Sequence, residues 1–170
     1  MNGEGADRAA LLALNAAHAA ETSVLDAAAL EALLASAFHV GLRGEGGRDG
    51  FLVAMDEGSE YDNANFQWYR SRLARFVYID RVIVSASAQR AGHGRSLYEE
   101  LFARARAAGQ TVVGCEVNLE PPNPRSDRFH EALGFVEVGR AALPDRGKVV
   151  RYLATALEPG GLQPLDVDRP

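Results

Sequence analysis

The chain has 170 residues, 47% of them hydrophobic and 24% charged, with a formal net charge of −5. These values fit one domain with a substantial core, and the negative balance argues against a general nucleic-acid binder, which needs a basic surface. The single cysteine, Cys115, excludes an internal disulfide and suits a reducing, cytoplasmic setting.

Met1 to Arg8 is polar and acidic and does not read as a secretory signal, and no run of roughly 18 apolar residues suggests a membrane span. The leucine–alanine pattern predicts a helix over Arg8 to Ala20, with Leu11, Leu12 and Leu14 on its apolar face. A second helix is predicted over Leu25 to Ala37, with Ser23 and Asp26 resembling its start. Between the two lie Asn15, His18, Glu21, Thr22 and Ser23, an unusual density of polar groups that either face solvent or line a pocket. Phe38 to Arg43 and Gly50 to Asp56 read as a hairpin around Gly44 to Gly47. Gly58 to Asn65 reads as a loop and Asn65 to Leu73 as a short helix carrying Phe66, Trp68 and Tyr69.

Phe76 to Val84, rich in β-branched and aromatic residues, is the strongest strand signal and is apolar on both faces near its C-terminal end, as in a central strand. Gly94 to Ala108 reads as a helix stopped by Gly109, with Leu97, Leu101 and Phe102 on one face. Thr111 to Val117 follows as a strand. Pro121 to Pro124 breaks regular structure, and Ser126 to Leu133 is a short helix stopped by Gly134. Phe135 to Val138 and Lys148 to Leu157 are two final strands around a turn at Pro144 to Gly147. The intermixed strands and helices give an α/β (α+β) single domain over 8–157, between a flexible start, 1–7, and an irregular tail, 158–170.

Gln89-Arg90-Ala91-Gly92-His93-Gly94, between the central strand and the next helix, is the segment that points to chemistry. Its glycines let backbone N–H groups approach an anion, and the helix N-terminus adds its dipole at the same point. The segment is not a Walker loop, since no Lys-Ser or Lys-Thr follows, and it lacks the third glycine of a dinucleotide fingerprint. Downstream, Asn123 is followed seven residues later by His130 and then by Leu133-Gly134-Phe135.

These parts, in this order, resemble the GCN5-related N-acetyltransferase (GNAT) superfamily, where Gln or Arg, two residues, Gly, one residue, Gly or Ala joins the fourth strand to the third helix. The motifs cover about residues 76–138, and their wording is similar to a subgroup of bacterial predicted acetyltransferases. The resemblance implies a mixed central sheet of about six to seven strands, flanked by helices and splayed at the acyl-CoA site. It implies acetyl-CoA as acyl donor, a small-molecule or protein amine as acceptor, and no metal. The acidic balance and the lack of a long apolar run call for no nucleic acid or membrane partner, and a homodimer is possible.

Residue by residue, the resemblance assigns Val82, Ile83 and Val84 to the pantetheine arm and the carbonyl of the thioester. The amides of Arg90, Ala91, Gly92, His93, Gly94 and Arg95, next to Gln89, fall to the pyrophosphate, with Arg90 and Arg95 adding charge or simply lying on a solvated surface. Asn123 bonds the cofactor arm or orders its loop, and Arg125 and Arg128 reach toward the phosphates. The attacking amine must lose a proton; Asp80 is the first candidate base and Glu116 the second, though either could instead sit in an ion pair. His130 stands where the family often places the Tyr that protonates the departing thiolate, and imidazole can donate a proton near neutral pH. Tyr78 and Tyr98 are reserve donors with core packing as their simpler role, and Cys115 reads as a small buried hydrophobe. Asn15, His18, Thr22, Ser23 and Trp68 are assigned to the acceptor side, with core packing the competing role for Trp68. A non-catalytic acyl-CoA-binding or sensing module of the same fold is the alternative function, and an unrelated nucleotide-binding domain a third reading.

Overall fold

The computed structural model describes residues 4–20, 22–143 and 147–158. Among the described residues, five α-helices and six strands run in the order α1 (Arg8–Ala17), α2 (Ala27–Ser36), β1 (His39–Arg43), β2 (Gly50–Asp56), α3 (Ala64–Arg70), β3 (Phe76–Val84), α4 (His93–Ala107), β4 (Val112–Glu120), α5 (Pro124–Ala132), β5 (Val136–Leu143) and β6 (Lys148–Ala156). Glu21, residues 144–146 of the expected last turn, and the tail beyond residue 158 lie outside the described residues.

Capping residues set where four of the helices begin. Asp7, Asp26, Asn63 and Asn123 each place a side-chain oxygen on the amides of the first turn of α1, α2, α3 and α5. The second helix therefore starts after Asp26, and Ser23 is not its cap. Pro124 does not break structure as the sequence suggested; it opens α5, because a proline at the first helical position lacks only an N–H that would have no helical partner. The first helix ends at Ala17, three residues short of the expected Ala20, and β4 continues past Val117 to Glu120.

The strands form one sheet in the order β1-β2-β3-β4-β6-β5. Every neighbouring pair is antiparallel except β3 and β4, whose parallel pairing needs the crossover that α4 supplies. One face is covered by α1, α2 and α3, through Leu11, Leu30, Leu34, Phe66 and Tyr69. The other is covered by α4, through Leu97, Tyr98, Leu101 and Ala105, and by α5 through Phe129. Strand β3 is buried on both faces over Phe76–Ile79 and alternates beyond that, so its fully buried half is the N-terminal one rather than the C-terminal one expected.

A bulge divides β3. Val53 pairs with Arg81 and Ala54 with Ile79, which leaves Asp80 as an extra residue. The alternation of faces shifts across it: Tyr78 and Ile83 belong to the same core. The adjacent Asp80 and Arg81 can thus meet in an ion pair, Nε to Oδ2 at 2.7 Å, with each side chain 4% exposed.

Packing beneath the sheet is close around Tyr69. Its hydroxyl lies 2.7 Å from the carbonyl oxygens of both Cys115 and Leu153, joining β4 to β6. A Cβ placed on Gly114 would stand 2.4 Å from this ring, so only glycine fits there. Gly114→Ala is expected to destabilise the fold by about 1–3 kcal/mol, the usual cost of overpacking. A denaturant titration of both proteins measures this, and an unchanged midpoint would show that the ring has room to move.

Candidate active site

Strands β3 and β4 pair only from Phe76–Ile79 against Val112–Cys115. Beyond that point β3 stays paired with β2 as far as Val84, and β4 stays paired with β6 as far as Glu120. Their facing edges diverge, and a cleft of about 280 Å³ passes between them. Residues from both faces of the sheet line it, so the opening runs through the sheet rather than across its surface.

On the α4 face the lining includes Gly94, Phe129, Tyr98 and His130. The approach to α4 is shaped by two left-handed residues, Arg90 at φ 74° and Gly92 at φ 78°. Alternating backbone of this kind turns successive N–H groups toward one point. Unlike the other four described helices, α4 has no side-chain cap on its first amides. Those N–H groups, at the positive end of a 15-residue helix dipole, can serve an anion. Gln89 lines the cleft and its Oε1 accepts from Arg125 Nη1 at 3.0 Å.

His130 is buried, and both its ring nitrogens are engaged. Nε2 lies 2.7 Å from the Tyr98 hydroxyl, and Nδ1 lies 2.8 Å from the Ser126 carbonyl oxygen and 3.2 Å from Ser126 Oγ. Burial pushes the imidazole pKa down, which keeps the ring neutral, and pushes the Tyr98 phenol well up, which keeps it protonated.

On the α1–α3 face the cleft is lined by Glu116, Asp80, Asn65, Ser23 and Lys148, among others. Burial, together with the nearby Asp80 charge, raises the Glu116 pKa to about 7. Tyr78 donates its hydroxyl to Glu116 Oε2 at 2.8 Å, and Asn65 also bonds the carboxylate; both temper that rise. Asp80 has both oxygens occupied, one by the Tyr61 hydroxyl and one by Arg81. Arg81 extends the network, donating from Nη1 to Asn15 Oδ1 at 2.6 Å and from Nη2 to Ser23 Oγ at 3.1 Å. Asn15 closes it by donating to the Ser23 carbonyl at 2.8 Å. This network ties the α1–α2 link to the bulge in β3.

A family model, the Acetyltransferase (GNAT) family, matches residues 44–135, which include β2 through α5 and most of the cleft lining. The chain belongs to the GNAT acetyltransferase family. No curated protein sequence matches it. Among solved structures, the ribosomal-protein-S18-alanine N-acetyltransferase from Escherichia coli is 16% identical, with a TM-score of 0.65 over 92% of this chain and 93% of that one. The protein yncA from Salmonella typhimurium, solved with its cofactor acetyl-CoA, is 22% identical, with a TM-score of 0.61 over 93% of this chain and 94% of its own. An aminoglycoside 6'-N-acetyltransferase complexed with coenzyme A is 13% identical, with a TM-score of 0.65 over 89% of this chain and 91% of its own. At these identities the likeness establishes the fold, a GNAT fold with a mixed six-stranded sheet.

Within this GNAT domain the expected residues separate into groups. Val82, Ile83, Val84, Gln89, Gly94, Asn123, Arg125, His130, Asp80, Glu116, His18, Thr22 and Ser23 all line the cleft. Arg90, Ala91 and Gly92 are exposed on the turn into α4, and Arg95 is exposed in its first turn, near the half-buried His93 that opens the helix. Arg128 is exposed on α5 away from the lining, and Asn123 uses its Oδ1 to cap that helix. Two assignments to the acceptor side do not fit. Asn15 is buried inside the Arg81 network, outside the lining. Trp68 stacks on Tyr152 with ring centroids 4.1 Å apart, under Gly139, and also lies outside the lining. Cys115 is buried, and its thiol pKa is raised by that burial, so it is no thiolate.

Sequence reasoning passed over Tyr61, Asn65, Phe129 and Lys148. Asn65 follows a helix cap, a position that gives no hint that its side chain reaches a carboxylate, and Lys148 simply opens a strand. Because the Asp80 charge helps raise Glu116, Asp80→Asn is expected to lower the Glu116 pKa by about one unit. A carbon-detected NMR titration of the glutamate side chains reads this directly, and an unmoved Glu116 would show that burial alone sets its value.

Proposed function

We propose that this protein transfers an acetyl group from acetyl-CoA to a primary amine by direct attack of the amine on the thioester. The observation that carries the reading is the passage through the sheet, with an uncapped helix N-terminus on one face and a carboxyl group of pKa about 7 on the other. The first suits a pyrophosphate and the second suits proton removal from an amine, so donor and acceptor would enter from opposite faces and meet at the splay.

On the donor side, the pantetheine arm lies along the free edge of Val82, Ile83 and Val84, whose amides extend the sheet by hydrogen bonding. The pyrophosphate takes the amides at the start of α4, with Arg90, Arg95 and Arg125 supplying charge. An amide of the same β3 edge polarises the thioester carbonyl and stabilises the oxyanion of the tetrahedral intermediate. On the acceptor side, Glu116 is the general base. Asp80, with its oxygens bonded to Tyr61 and Arg81, positions rather than abstracts, and its charge tunes Glu116. His18, Thr22 and Ser23 border the acceptor. Preorganisation in a narrow cleft contributes as well, by holding amine and thioester within reach.

Two measurements test this. A side chain on Gly94 would grow between Phe129 and Val84, within 4 Å of each, and so into the donor half of the cleft. Gly94→Val is expected to weaken acetyl-CoA binding at least about tenfold, roughly 1.4 kcal/mol, by calorimetry on the folded variant. An unchanged affinity would place the cofactor elsewhere. For the base, the active form of Glu116 is ionised, so turnover should rise with pH through the pKa of about 7. Glu116→Gln should lower turnover by about a hundredfold and abolish that rise. A variant that keeps the rise would assign the base to another group. Acetyl-CoA binding without thiol release from any of a panel of amines would instead indicate a binding module that has lost turnover.

A further inference from the structure

The thioester sulfur needs a proton donor on the α4 face of the splay, and the residue at the expected position, His130, does not offer a free nitrogen. Its Nε2 is taken up by Tyr98, a fully buried side chain on α4 that lines the cleft. Tyr98 sits among Phe102, Phe129, His130 and Phe135, each with its ring roughly edge-on to the tyrosine ring. This aromatic collar fixes the ring and leaves the hydroxyl at the junction of His130 and the cleft.

The surroundings of His130 allow either neutral tautomer. With the hydrogen on Nδ1, the ring donates to the Ser126 carbonyl, and Nε2 accepts the Tyr98 hydroxyl. With the hydrogen on Nε2, the Ser126 hydroxyl at 3.2 Å donates to Nδ1, the Ser126 carbonyl at 2.8 Å gives up its donor and must draw back from the ring, and Nε2–H donates to the Tyr98 oxygen. In the second arrangement the Tyr98 hydrogen is released from the histidine and can point into the cleft. No charge has to be buried to make the switch.

We propose that Tyr98 is the hydrogen-bond and proton donor to the departing CoA sulfur, and that His130 is the residue that positions its hydroxyl. This rests on the acetyl-transfer reading above. As the C–S bond of the tetrahedral intermediate breaks, its electron pair goes to sulfur, and the Tyr98 proton follows. Nε2–H of His130 stabilises the phenolate oxygen, which recovers a proton through solvent from the one the amine gave up to Glu116. The net exchange is one proton from the amine nitrogen to the thiol.

The test needs no acceptor. A hydrogen bond to a thiolate favours the ionised form, so Tyr98 should depress the thiol pKa of CoA in the binary complex. The protein is saturated with CoA, and the rate of S-alkylation of CoA by iodoacetamide is followed against pH by mass spectrometry. Calorimetry reports CoA affinity in parallel. Tyr98→Phe, which keeps the ring, is expected to raise the bound thiol pKa by about one unit while CoA affinity changes less than threefold. His130→Ala should raise it as well. His130→Gln, whose amide can still donate to the Tyr98 oxygen, should restore much of the depression, which a merely structural role for the histidine would not do. An unchanged thiol pKa in Tyr98→Phe overturns the proposal; should that variant fail to fold, an unchanged value in His130→Ala overturns it equally. Failure of the wild-type protein to bind CoA at all would defeat the acetyl-transfer reading itself and is distinguished by the calorimetry.

Discussion

The interaction on which the rest of this structure depends is the short parallel pairing of β3 with β4, which ends at Ile79 and Cys115. Each strand remains held on its outer side, by β2 and by β6, so the sheet opens without falling apart. Inner-edge backbone groups of β3 are thereby made available in the middle of a buried sheet, where they would ordinarily pair with a neighbouring strand. A ligand with its own amide groups can take the place of that strand. The gap in hydrogen bonding thus leaves an edge of the sheet open to such a ligand.

The bulge at Asp80 lies just beyond the last paired residue, and it explains why two charged neighbours can be buried together in a strand. Arg81 turns toward the α1–α2 link and Asp80 toward Tyr61, with the ion pair between them. One charge of each sign is compensated locally, at a point where an unpaired charge would be costly. Glu116 has no such cation among the described residues. Burial and the Asp80 charge raise its pKa, and the neutral donors Tyr78 and Asn65 only temper that rise. Two carboxylates on adjacent strands are therefore given different properties by what faces them: one is fixed in an ion pair, and the other titrates near neutrality. On the opposite face the Tyr98–His130 pair is neutral, and both residues line the cleft.

Much of this was legible in the sequence, for identifiable reasons. The run from Phe76 to Val84 declares a central strand through its β-branched and aromatic residues, and its observed bounds are the same. The glycine spacing at Gly92 and Gly94 announces a turn into an exposed helix start, and Gly92 does adopt the left-handed conformation. A bulge leaves no such mark. Asp80 could be read from the sequence either as a base facing substrate or as one half of an ion pair, and the extra residue makes it the partner of Arg81. Asn15 looked like a pocket residue because it was polar in an apolar helix; its polarity serves Arg81 instead. Tyr98 could be read from its helical position as core, and it is core, but helical spacing cannot reveal that its hydroxyl meets a histidine from a distant helix. Partners that depend on tertiary contact between α4 and α5, or between α1 and β3, are beyond any local pattern.

The central claim, that donor and acceptor meet at a splay running through the sheet, is tested most directly by a crystal structure of the protein with CoA. The account predicts the pyrophosphate on the amides at the start of α4, the pantetheine arm along Val82 to Val84, and the sulfur beside the Tyr98 hydroxyl, with Glu116 across the opening. Coenzyme A bound outside the space between β3 and β4, or with its sulfur turned away from both Tyr98 and Glu116, would contradict it.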